Sequence, residues 1–159
     1  MRLTRCSTIG VLVTVGLLAG CGGDSEPAGA VIREGVYEYE LTQDYLVEHG
    51  VPAEQAASES GVHTATLDGG SFTDRWETVK GERGSCSGTY ELDGDRVTFR
   101  WKSGCFGDWA MSYGVDGDRV TWSNHEALPP YNGEEEQNLT EVFNGVPWTR
   151  VGDTETEGS

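Results

Sequence analysis

Basic residues are scarce in this chain: 11 lysines and arginines stand against 27 aspartates and glutamates, a formal net charge of −16 over 159 residues. A field of that sign repels nucleic acid and anionic membrane surfaces, which argues against nucleic acid as a partner of the folded part. Histidine is scarcer still. His49, His63 and His125 share no spacing, so they read as solvated side chains and not as metal ligands or general bases. There is no nucleophile elbow, phosphate loop, dinucleotide fingerprint or zinc signature, so the sequence points to no catalytic residue, no metal and no cofactor. Long hydrophobic runs are missing too, apart from one near the N-terminus.

That run, residues 9–18, is too short to span a bilayer comfortably, follows Arg2 and Arg5, and ends at Leu18-Ala19-Gly20-Cys21. A basic start, an apolar segment and small residues before a cut are the parts of an export signal. The last four residues resemble the lipobox of bacterial lipoproteins. The resemblance implies that the Cys21 thiol carries fatty-acid chains such as palmitate, and that Cys21 becomes the first residue after cleavage. It places the protein on the outer face of the cell membrane, held there by about 0.8 kcal/mol per buried methylene. A plain secretory cut and a transmembrane anchor are the alternative readings of the same run.

The composition then divides the chain into four parts. Residues 1–20 are the expected signal and 21–30 a small, polar tether containing Pro27. Residues 31–152 form one domain, and 153–159 an acidic tail without an apolar side chain. Of the four cysteines, Cys6 leaves with the signal and Cys21 is the lipidation site, so Cys86 and Cys105 remain in the domain. In an exported protein two such cysteines are expected to pair, a closure worth about 3 kcal/mol in the chain-entropy model.

Within the domain the strongest pattern is a repeat. Tyr90-Glu91-Leu92-Asp93-Gly94-Asp95-Arg96-Val97-Thr98-Phe99 is echoed by Tyr113-Gly114-Val115-Asp116-Gly117-Asp118-Arg119-Val120-Thr121-Trp122, and more faintly around Asp68-Gly69-Gly70. Alternating apolar residues on both sides of an Asp-Gly pair predict β-hairpins with two-residue turns, here three in succession. The alternation puts Tyr90, Leu92, Val97, Phe99, Trp101, Trp109, Met111, Tyr113, Val115, Val120 and Trp122 on one face. Such a sheet must cover that face, by closing into a barrel or folding into a sandwich. After the first strand, Thr42 as a cap, Gly50 as a stop and Pro52 as a second start predict a short helical hairpin over 43–58. Another short helix is expected over 139–144, before a last strand at 147–151.

Gly35-Val36-Tyr37 opening the first strand, a long first connection, repeated Asp-Gly hairpins and a terminal Pro147-Trp148-Thr149-Arg150 resemble the calycins. Within that group they are similar to the lipocalin-like lipoproteins of high-GC Gram-positive bacteria. The resemblance implies an all-β antiparallel meander closing into a barrel of about eight strands. It also implies a clasp in which Tyr37 packs against Arg150, a cation–π contact of about 1 to 2 kcal/mol when partly desolvated.

Several motifs yield to plain structural readings. Gly84-Ser85-Cys86-Ser87-Gly88 has the glycine spacing of a nucleophile elbow but a cysteine at its centre, and a strand follows it. Asp93-Gly94-Asp95 and Asp116-Gly117-Asp118 are turn chemistry. The carboxylates 134–136 read as a solvated loop, and Glu38 and Glu40 share an outward sheet face without the cleft that paired-carboxylate catalysis needs. The ring-rich face is more suggestive. Trp101, Trp109, Tyr113 and Trp122 are the candidates to line a site for a small apolar or aromatic ligand, neutral or cationic, and the same rings could instead fill the barrel axis. The leading expectation is a lipid-anchored, non-catalytic binding or accessory barrel. An envelope enzyme working in the barrel mouth and a structural partner of another envelope protein are the alternatives.

Overall fold

The computed structural model describes residues 30–104, 107–129 and 134–154. The export motif with Cys21, most of the tether, Cys105 and most of the acidic tail lie outside them. Eight antiparallel strands close into a barrel, each hydrogen-bonded to its neighbours in sequence and the first to the last. They are β1 (Gly35–Leu41), β2 (Gly61–Asp68), β3 (Ser71–Thr78), β4 (Arg83–Asp93), β5 (Arg96–Ser103), β6 (Asp108–Asp116), β7 (Arg119–Leu128) and β8 (Trp148–Gly152). Helices α1 (Gln43–Glu48) and α2 (Ala53–Glu59) join β1 to β2, and α3 (Glu134–Asn144) joins β7 to β8.

The barrel therefore has two unlike ends. At one, β2–β3, β4–β5 and β6–β7 are joined by two-residue turns; at the other lie the three helices of the described residues. The turns form as the alternation predicts, with one difference. Asp93 and Asp116 are the last residues of their strands, and Gly94 and Gly117, each at φ +61°, take the first turn position ahead of Asp95 and Asp118. A positive φ at that position alone is the type II′ arrangement, whose twist matches that of the flanking strands.

The inward face follows the alternation, with Tyr37, Tyr39, Leu67, Phe72, Val97, Phe99, Met111 and Trp122 among its buried residues. Leu92, assigned to the same face, is 37% exposed, because it sits one residue from a turn where the barrel wall ends. Ala110 is buried along with its neighbour Met111, although successive strand residues point to opposite faces. A bulge explains the local irregularity: Ala110 pairs with Glu126 and Ser112 with Ser123, so β7 fits two residues against one, and Asn124 takes φ +52°.

Helices α1 and α2 form because a hydroxyl cap, a glycine and a proline punctuate a segment with few β-formers. The Thr42 Oγ1 accepts from the Tyr45 N–H at 3.2 Å, and Pro52 precedes α2. Leu46, Val51 and Ala56 belong to the same buried cluster as the barrel interior, and Tyr45 packs against it. Helix α3 starts earlier than 139 and takes in residues 134–136, so that acidic run opens a helix and not a loop. It packs against β7. The barrel is joined least extensively beside it, where β7 and β8 share just two register pairs, Arg119 with Thr149 and Val120 with Trp148.

Candidate functional site

The large rings gather toward the helical end. His63, Trp76, Trp101, Trp109 and Trp148 each stand within two residues of a strand terminus there. Trp148, 1% exposed, is the hub: Trp122 meets it edge-on at 4.8 Å, Tyr39 stacks on it at 5.1 Å, and Phe72 and Phe99 lie 6.2 Å away. Trp101 and Trp109 pair at 4.5 Å, and Trp101 reaches Phe72 at 4.8 Å. The middle of the axis is thus packed with rings. Around it the indole N–H groups of Trp101, Trp109, Trp122 and Trp148 are all buried without a hydrogen-bond partner among the described residues. Each such donor costs about 1 to 3 kcal/mol while it stays unpaired.

Beside this cluster lies a polar network that the residue pattern did not reveal. Asp74, on the inward face of β3 and 5% exposed, accepts from the Tyr39 hydroxyl at 2.9 Å and contacts His63 Nδ1 at 3.1 Å, both through Oδ2. Its Oδ1 is buried and unpartnered. Burial, then the neighbouring Asp74 carboxylate, holds the Tyr39 phenol well above its ordinary value, so Tyr39 acts as a donor. The His63 ring is stacked between Tyr39 at 4.6 Å and Trp76 at 5.9 Å. Contrary to the expectation of a solvated histidine, His63 is an interior residue. The other two differ from it and from each other: His49 is exposed with its ring tilted against Tyr45 at 4.1 Å, whereas His125 reaches the Asn144 carbonyl at the end of α3.

Trp76 lies across Gly84, its partner in the β3–β4 register; a side chain there would put its Cβ 2.2 Å from the ring. The elbow-like Gly84-Ser85-Cys86-Ser87-Gly88 segment is therefore strand β4, and its first glycine makes room for an indole. An open depression of about 500 Å³ on the β2–β4 wall is lined by Val62, Thr64, Arg75, Trp76, Glu77, Arg83 and Gly84. None of the four ring residues suggested as lining borders it.

Those four do not form one group. Trp101 and Trp109 stand together at the helical end, Trp122 lies along β7 against Trp148, and the Tyr113 hydroxyl bonds to the Gly94 carbonyl in a turn at the opposite end. Tyr37 and Arg150 are register partners between β1 and β8. The Arg150 guanidinium donates to the Glu34 carbonyl at 3.0 and 3.2 Å and to Asp153, while the Tyr37 ring faces Trp148 at 6.1 Å. Cys86 is buried. Among the described residues no group of three or more histidine, cysteine, aspartate or glutamate side chains converges as a metal site would require. Nor is any described helix long and apolar enough to cross a membrane.

No family model matches the chain, and no curated protein does. A solved structure described as "REP1-NXSQ fatty acid transporter" is similar over 74% of this chain and 95% of that one, at 14% identity and a TM-score of 0.33. At that identity and score it identifies neither a family nor a ligand.

Proposed function

We propose that this is a lipid-anchored, lipocalin-like binding barrel on the outer face of the cell membrane, taking a small, flat, largely apolar ligand at its helical end. The observation that carries the binding reading is the set of four buried, unpartnered indole N–H groups in a wall of rings. A flat ligand with an acceptor atom would gain stacking area and relieve unpaired donors at once. Helices α1 and α3 cover that end, and the short β7–β8 pairing beside α3 offers the least costly place to part the wall.

Anchoring rests on Leu18-Ala19-Gly20-Cys21 and the tether that follows. The staple between Cys86 and Cys105 belongs to the same proposal. It is supported by Gly104, the neighbour of Cys105 in sequence, whose added Cβ would lie 3.2 Å from that of Cys86. Peptide mapping of unreduced protein should recover the two cysteines in one linked fragment, and two free thiols would refute the staple.

The binding reading is tested by titrating detergent-solubilised full-length protein with 1-acetonaphthone, a neutral flat ketone, while following tryptophan fluorescence and thermal stability. Saturable quenching with a rise in melting temperature is expected. No response to this or to other neutral aromatic ketones would favour the alternative, a barrel that serves as a structural partner of another envelope protein.

A further inference from the structure

We propose that Asp74 is the anchor for a positively charged nitrogen, so that the ligand of the site above is an aromatic or apolar amine; the inference rests on the binding reading and narrows it. A buried carboxylate ordinarily has all its oxygens satisfied, because leaving one bare costs more than an ordinary unpaired polar group. Asp74 satisfies one oxygen twice, with Tyr39 and His63, and leaves Oδ1 buried and bare. Among the described residues no arginine or lysine supplies the missing donor. Arg75, the next residue, is exposed on the outward face of the strand, and Arg83 is paired with Glu77 at 2.9 Å.

The surroundings of Oδ1 suit an ammonium better than a neutral donor. Tyr39, His63 and Trp76 stand in a row beside the carboxylate with their faces stacked on one another, so they wall Oδ1 off from water and leave the carboxylate itself to choose the charge of its partner. An ammonium would add a charge-assisted hydrogen bond to Oδ1. The net charge of −16 raises the local concentration of cations and lowers that of anions. Trp76, the outermost ring of the row, also lines the open depression on the β2–β4 wall, so the row connects the outside to Asp74. The rival occupant of Oδ1 is a single water molecule, which would give no preference for charge.

Three probes of matched shape separate these cases on the full-length protein by calorimetry: tryptamine, 3-ethylindole and indole-3-propionate. Tryptamine should bind about ten-fold or more tighter than 3-ethylindole, with the acid weakest. Asp74→Asn should bring tryptamine down to the level that 3-ethylindole shows on the same variant. The comparison among probes on the unmodified protein stands even if that variant folds poorly. Tryptamine binding no tighter than 3-ethylindole, or not at all, overturns the amine assignment. If 1-acetonaphthone still binds in the same cell, the wider binding reading survives; if it does not, both fall.

Discussion

The Tyr45 hydroxyl donates to the Val142 carbonyl at 3.0 Å, tying α1 to α3 across 97 residues of sequence. Together with the His125 contact to Asn144 at 3.1 Å, it holds the helical cover onto the barrel. Tyr45→Phe removes the hydrogen bond but keeps the ring, so it should lower stability by about 0.5 to 1.5 kcal/mol. Hydrogen exchange should quicken in α1 and α3 more than at Val97 or Trp122. In the unmodified protein the amides of 43–58 should already exchange faster than those two core positions. Equal protection throughout would mean a fixed plug in place of a movable cover.

Gly84 predicts a steric test. Gly84→Val would drive a side chain into the Trp76 ring and should cost about 1 to 3 kcal/mol, with Trp76 displaced toward solvent. Adding Trp76→Ala should recover part of the loss, since the two residues share one space. A double variant no better than the sum of the single ones would place the collision elsewhere.

Tyr39 gives the pH dependence. Its phenol is raised well above the ordinary value near 10, chiefly by burial and then by Asp74, while the unfolded chain ionises normally. The stabilisation is therefore full below about pH 10 and is lost as pH rises from there toward the folded-state value. Alkaline unfolding should coincide with the appearance of tyrosinate absorbance, and Tyr39→Phe should flatten the stability loss above about pH 10. Ionisation of Tyr39 at its ordinary pH in the folded protein would contradict this burial.

Cys21 predicts the location. Cys21→Ala should abolish incorporation of labelled fatty acid and release or misprocess the protein. Continued labelling and anchoring would refute the lipid anchor.

Much of the barrel was legible because its signals are local. Period-two alternation around Gly94 and Gly117 reports strand, face and turn within ten residues, and Thr42, Gly50 and Pro52 mark helix boundaries in the same way. The polar network was not legible, since Tyr39, His63 and Asp74 come from three strands and meet only through register. His63 pairs with Tyr39 on one side and with Trp76 on the other, and nothing near His63 in sequence announces either ring. An inward aspartate on a strand that also carries Phe72 and Trp76 was the available signal: Asp74 breaks the apolar alternation at a position that should be buried. Trp148 was visible as part of a terminal motif, but its place at the hub depends on β8 closing against β1. Tyr113 and Trp109 share a strand face, and strand length alone carries them to opposite ends of the barrel.

The central claim is that the ring-lined interior is a site and not merely a core. The direct measurement is the nuclear magnetic resonance spectrum of the indole N–H groups of detergent-solubilised, nitrogen-15-labelled protein during titration with 1-acetonaphthone. Assigned by single Trp→Phe variants, two or more of Trp101, Trp109, Trp122 and Trp148 should shift saturably and downfield as their unpartnered N–H groups gain an acceptor. If all four resonances stay fixed while the ligand is in excess, the rings are core alone and the binding account is wrong.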